Sequence, residues 1–176
     1  MRVTAVDHHK DLFYIEDFYP NWLLCLLSNP HKFSYEEVIV ENKPVRRNLS
    51  IPFWLNTVLM FVSKIRCWQI SKELNRQIFL KDIGVWFDVE NYFMNKHTDH
   101  LNHVEIGMQI YLSNGLKDLG TCFYNKDGSV RHTFKYIKNT GYMMINNHNQ
   151  VHAMPIPVPK DNLRLSVYHW IYYDRH

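Results

Sequence analysis

From His103 to Leu112 the chain alternates strictly, with Val104, Ile106, Met108, Ile110 and Leu112 on one parity and His103, Glu105, Gly107, Gln109 and Tyr111 on the other. Successive side chains leave opposite sides of an extended backbone, so a period of two over this length commits the segment to a strand with one apolar and one polar face. The apolar face needs cover from helices or a second sheet. The polar face either meets water or lines a pocket. Further β-prone runs follow at Thr121 to Asn125, Val130 to Ile137, Tyr142 to Asn146, around His152, and Leu163 to Tyr173. Turn formers separate them at Asn114-Gly115, Asp127-Gly128 and Pro155 to Asp161. Many short strands broken by regular turns favour a sandwich or barrel over a parallel sheet.

The N-terminal half reads differently. Leu12 to Phe18 is extended, and Pro20 opens a short helix through Leu27, since proline is tolerated in a first turn. Glu36 to Glu41, with Val38, Ile39 and Val40, reads as a strand. A polar loop from Asn42 to Ser50 follows, carrying Lys43, Pro44, Arg46 and Arg47. Phe53 to Ile65 and Ile70 to Phe79 read as two helices. The architecture expected is α+β and mainly β: a double-sheet jelly roll buttressed by N-terminal helices. The 176 residues fit a single domain, with 1–81 as a mixed helical and extended buttress and 82–174 as the strand-rich core.

Composition removes several function classes. A net charge of +3 without long basic blocks gives no electrostatic case for nucleic-acid or membrane binding. Three widely spaced cysteines, Cys25, Cys67 and Cys122, argue against a disulfide framework and a cysteine-based zinc site. No apolar run approaches the ~18 residues of a spanning helix, so a soluble, cytoplasmic protein is expected. Eleven histidines supply many candidate metal ligands.

His97 and Asp99, in His97-Thr98-Asp99, leave the same face of an extended chain ~6.5 to 7 Å apart and converge easily on one ion. Two histidines and one carboxylate with adjacent positions open form the facial site of non-haem Fe(II) oxygenases, so a third ligand must come from elsewhere. An isolated His-x-Asp is usually a surface or turn feature. Its company here is a downstream histidine and the same-face pair Arg164 and Ser166 on the last strand. Leu163, Leu165, Val167 and Ile171 occupy the opposite face, so Arg164 either reaches solvent, pairs with a protein carboxylate such as Glu105, or meets a bound anion.

From about Ile83 to Tyr173 the chain resembles the iron(II)- and 2-oxoglutarate-dependent dioxygenases, in particular their prolyl-hydroxylase-like branch. The resemblance rests on His97-Thr98-Asp99, Ile110-Tyr111-Leu112-Ser113, Gly120-Thr121-Cys122-Phe123-Tyr124, Val151-His152-Ala153-Met154-Pro155 and Arg164-Leu165-Ser166, in this order. It implies a double-stranded β-helix (cupin-like) in which His97, Asp99 and His152 bind Fe(II). It also implies that Arg164 holds the distal carboxylate of 2-oxoglutarate with help from Ser166, and that Tyr111 offers its hydroxyl to the same group. O2 would be the oxidant and ascorbate a candidate reductant. His148 competes with His152 but lies in the polar run 146–150, whereas His152 falls in the segment that resembles the family motif. His100 and His103 are expected as outer partners or surface residues. Ala153 stands where many relatives have glycine.

The activity implied is hydroxylation of a C–H in a peptidyl residue, amino acid or small metabolite, with release of succinate and CO2. The alternatives are a cupin-like metalloenzyme without 2-oxoglutarate and a non-catalytic β-sandwich binding module. The Asn42 to Ser50 loop would border the pocket mouth and favour an acidic or phosphorylated substrate. Trp86, Tyr92, Phe93, Trp170 and Tyr172 are expected in the core or pocket wall.

Overall fold

The computed structural model describes residues 1–40, 43–99, 105–145 and 149–173. The elements run β1 (Arg2–Ala5), β2 (Leu12–Glu16), α1 (Asn21–Leu27), β3 (Ser34–Val40), β4 (Lys43–Ser50), α2 (Phe53–Leu74) and β5 (Ile78–Asp88). There follow β6 (Ile106–Tyr111), β7 (Thr121–Tyr124), β8 (Val130–Phe134), β9 (Thr140–Ile145), β10 (His152–Ala153) and β11 (Arg164–Tyr173). The expected α+β, mainly β architecture of two sheets is present. An eight-stranded sheet has the order β1-β2-β9-β6-β11-β5-β4-β3, and a three-stranded sheet the order β10-β7-β8.

Parity along the central strands divides the molecule. Val85 and Phe87 of β5, Ile106, Met108 and Ile110 of β6, Met143 and Ile145 of β9, and Leu165, Val167 and Ile171 of β11 face α1 and α2 in the main core. The other parity faces the small sheet. There Arg46 and Arg164 both lie opposite Asp88, Ser166 opposite Trp86 and Tyr111, and Tyr168 opposite Gln109. The alternation read from 103–112 therefore holds over β6, although even its polar parity is buried because a second sheet covers it. The first two of those residues, 103 and 104, lie outside the described residues. Gly141 is required on β9: a Cβ there would stand 1.8 Å from the Gln109 carbonyl oxygen.

Two expectations are corrected. Residues 53–74 form one helix where two were expected, and Arg66, in the stretch left between them, donates to the Phe18 carbonyl and to Gln69. The helix stops at Asn75, whose left-handed conformation lets Asn75 and Arg76 donate back to Lys72 and Ser71, as in a Schellman cap. Residues from Ile78 then belong to β5, so the expected helix to Phe79 ends five residues early. Of the polar loop expected over 42–50, Lys43–Ser50 is a strand, β4. Its two arginines are tolerated because both find partners: Arg46 pairs with Asp88 on the pocket face, and Arg47 stacks on Tyr35 and Phe87 on the other. Pro44 precedes the residues, Arg46 to Asn48, that pair with β5.

The helix is pinned to the sheet by a buried polar relay. His169 donates Nδ1–H to the Met108 carbonyl (3.2 Å) and accepts at Nε2 from the Tyr19 hydroxyl (2.7 Å), which also meets Ser63 of α2 (3.0 Å). Burial pushes the His169 imidazole down to about 3. An unfolded histidine titrates near ~6.5, so between these values the unfolded chain holds the extra proton. The contribution is therefore complete above pH ~6.5 and is lost as pH falls towards 3, at ~1.4 kcal/mol per pH unit. Urea unfolding between pH 4 and 6 should show this slope, and His169→Gln should flatten it by that amount; parallel profiles would contradict the relay's role.

Candidate metal centre

His97 and His152 come together because they are a cross-strand pair, exchanging backbone hydrogen bonds of 3.0 and 2.9 Å. Each imidazole is oriented by its own backbone. His97 Nδ1 lies 2.7 Å from the Asn95 carbonyl and His152 Nδ1 2.9 Å from the Gln150 carbonyl. A carbonyl can only accept, so both Nδ1 atoms carry the proton and both Nε2 atoms present lone pairs. Those lone pairs face one oxygen: Asp99 Oδ1 is 3.5 Å from His97 Nε2 and 3.7 Å from His152 Nε2. The three ligand atoms lie within 4.8 Å of one another, a spread that a single ion can bridge.

The outer contacts hold this arrangement. Tyr168 donates its hydroxyl to Asp99 Oδ2 at 2.5 Å, which leaves Oδ1 for the centre. Tyr168 fits because its diagonal neighbour on β6, opposite Trp170, is Gly107: a Cβ at that position would stand 2.2 Å from the tyrosine oxygen. Gln150, whose carbonyl orients His152, is itself held by Arg131 (3.1 Å) and Asp11 (2.8 Å). Burial acts to raise the Asp99 carboxyl, but His97, the field of His152 and the Tyr168 hydroxyl together hold it below the usual range. Without an ion, a proton on His97 Nε2 is held by the hydrogen bond to Asp99, which raises that imidazole, whereas burial lowers His152; a bound ion would take the place of that proton. Outer-sphere partners typically contribute ~10- to 100-fold in metal affinity. Tyr168→Phe, which keeps the ring, should therefore weaken Co(II) binding by at least ~10-fold in a calorimetric titration.

The trio opens into a cavity of about 140 Å³ whose walls include Arg46, Trp86, Gln109, Thr121, Arg164 and Trp170. That is well below the ~300–1,000 Å³ of drug-sized pockets, and suits a small polar molecule next to the ion. At its inner end Arg164 is 2% exposed. Its Nη1 donates to Asp88 Oδ2 (2.9 Å), and Nη2 to Gln109 Oε1 (2.8 Å) and Thr121 Oγ1 (3.2 Å). Nε is buried with no partner among the described residues. Arg46 takes both oxygens of the same Asp88 at 2.7 and 3.1 Å and stacks on Trp86 and Tyr92. Asp88 is fully buried between the two guanidiniums.

Of the sequence candidates, His97, Asp99, His152 and Arg164 all line this one cavity. Tyr111 and Ser166 do not. Both are fully buried one layer behind it, Tyr111 donating to Thr121 (3.0 Å) and Ser166 accepting from Gln109 (2.9 Å). Arg164 does pair with a carboxylate, but Asp88 rather than Glu105. Residues 100, 103 and 148, the other histidines considered, lie outside the described residues. Arg46, expected at a solvated mouth, is inside the pocket. Asp88, Gln109, Thr121 and Tyr168 were not singled out from sequence. Asp88 shares parity with Trp86, but only the pairing of β4, β5 and β11 reveals that it sits between two arginines.

No family model and no curated protein matches the sequence. Solved structures do. A prolyl-4-hydroxylase of Pseudomonas putida aligns over 98% of this chain and 97% of its own, with a TM-score of 0.65 at 15% identity. An oxidoreductase of the 2OG-Fe(II) oxygenase family from Burkholderia pseudomallei covers 92% of this chain and 85% of its own, with a TM-score of 0.72 at 12% identity. A Trichoplax adhaerens prolyl hydroxylase, solved with a hypoxia inducible factor oxygen degradation domain peptide, covers 96% and 87%, with a TM-score of 0.71 at 11% identity. The likeness establishes the fold as the double-stranded β-helix of these oxygenases.

Proposed function

We propose that the chain is a non-haem Fe(II)- and 2-oxoglutarate-dependent dioxygenase that hydroxylates a C–H of a peptidyl residue, amino acid or small metabolite, with residues 1–176 acting as one domain. The observation that carries this reading is the sharing of one cavity by the His97, Asp99 and His152 trio and an Arg164 guanidinium whose buried Nε has no partner among the described residues. The donor set fits Fe(II): two neutral imidazoles and a carboxylate on one face, leaving positions for a chelating cosubstrate. The charges fit as well. With a divalent cation in place, Asp99, Asp88, Arg46 and Arg164 leave two positive charges, which a dicarboxylate cancels.

Bound Fe(II) and 2-oxoglutarate would supply O2-dependent decarboxylation to succinate and CO2, coupled to insertion of one oxygen into the acceptor. The chain's own share is orientation. His97 and His152 present Nε2, Asp99 presents Oδ1 under the control of Tyr168, and Arg164 offers its Nε–H to the distal carboxylate. Gln109 and Thr121 hold that guanidinium in place, and are in turn held by Ser166 and Tyr111. Trp86, Met94 and Trp170 supply apolar wall around the reacting centre and limit access of water.

The test is conversion of 2-oxoglutarate by purified protein with Fe(II) in air, followed by NMR. Succinate should accumulate slowly without an acceptor, need added iron, and be absent with His152→Ala. Iron binding with no succinate at any concentration of 2-oxoglutarate would favour a metalloenzyme that does not use it. Absence of iron binding would leave a binding module.

A further inference from the structure

The outer face of α2 carries apolar residues that the fold does not use. Leu55, Leu59, Ser63, Cys67 and Ile70 turn inward, while Trp54, Val58, Phe61, Ile65, Trp68 and Lys72 follow one another at spacings of four and three on the other side, Val58 at its edge and half-buried against the core. At 100° per residue these six form a narrow stripe centred opposite the sheet, with all but Val58 exposed. Trp54 is 56% exposed, Phe61 63% and Trp68 56%, and Phe53 lies uncovered at the end of the stripe. A helix apolar on both faces normally has neighbours on both.

We propose that this stripe is a two-fold interface between two copies of the chain, with their α2 helices antiparallel. Three observations select a second copy as the occupant. Alternating spacings of four and three are the seam of helices packed knobs-into-holes. The seam is also self-complementary when reversed about Ser63: position 54 meets 72, 58 meets 68 and 61 meets 65. Each pairing sets a ring against a smaller or cationic side chain, and Lys72, already 3.7 Å above its own Trp68 ring, would face a second indole. Charge is distributed to suit. Residues 53–63 carry none, while Lys64, Arg66, Lys72 and Glu73 lie beyond, so the antiparallel arrangement sets each charged half against an uncharged one. The area is sufficient: at 150–250 Å² per aromatic side chain, the stripe with Phe53 offers roughly 600 Å² per copy. A pair would bury ~1,200 Å², the lower end of stable interfaces. The stripe and the metal centre lie on opposite sides of the eight-stranded sheet, so two copies leave both pockets open.

Sedimentation of the wild-type protein at micromolar concentration should give twice the 21.3 kDa chain mass. Phe61→Glu and Ile65→Lys, both at exposed positions, should each give monomer with unchanged circular dichroism, weakening association at least ~100-fold. Mixing the two variants should restore a dimer, because the new glutamate and lysine meet only across the seam. A wild-type monomer at all concentrations, or a dimer indifferent to Phe61→Glu, would overturn the proposal. So would a monomer that partitions onto anionic phosphatidylserine vesicles through the same residues, which would make the stripe a lipid-facing surface.

Discussion

Asp88→Ala should destabilise the fold by about 3–5 kcal/mol in urea unfolding, the usual cost of leaving buried charge without its partner. The aspartate is fully buried and meets Arg46 and Arg164 in one rung across β4, β5 and β11. Removing it leaves two guanidiniums facing each other with no anion, and domains of this size have only ~5–15 kcal/mol in total. Arg46→Leu should cost less, since Asp88 keeps Arg164 and the apolar side chain packs against Trp86 and Tyr92. A loss under ~1 kcal/mol for Asp88→Ala would mean that the rung is solvated through the pocket, contrary to the burial described.

Arg164→Ala should weaken 2-oxoglutarate binding by ~10- to 150-fold, the equivalent of a charge-assisted hydrogen bond of ~1.5–3 kcal/mol. Metal affinity should change little, because no ligand-holding contact runs through Arg164. Arg164→Lys should fall between the two, keeping the charge but losing the fork that engages Asp88, Gln109 and Thr121. The readout is the cosubstrate concentration at half-saturation, measured anaerobically with iron in excess. An unchanged value in a folded Arg164→Ala protein would move the cosubstrate elsewhere.

Local pattern carried much of this into view. Strand periodicity located β6, β7, β9 and β11 to within a few residues, and the His97-Thr98-Asp99 spacing supplied two of three ligand candidates without any pairing information. What escaped was set by register. Arg46 reads as a solvated loop residue until β4 is seen beside β5, and Asp88 reads as the end of an apolar run until β11 sets Arg164 opposite it. Tyr168 reaches Asp99 only because Gly107, on another strand, leaves room for its ring. Tyr111 and Ser166 have the right parity but stand behind Gln109 and Thr121, a difference of depth that alternation does not encode.

The most direct measurement is an anaerobic titration of the protein with Fe(II) and then 2-oxoglutarate, monitoring the weak visible charge-transfer absorption of the iron chelate, alongside His152→Ala. An absorption band that saturates with one equivalent of each and is absent from a folded His152→Ala variant is the predicted result. Iron bound without the band, or a band indifferent to His152→Ala, would contradict the assignment of metal and cosubstrate to this cavity.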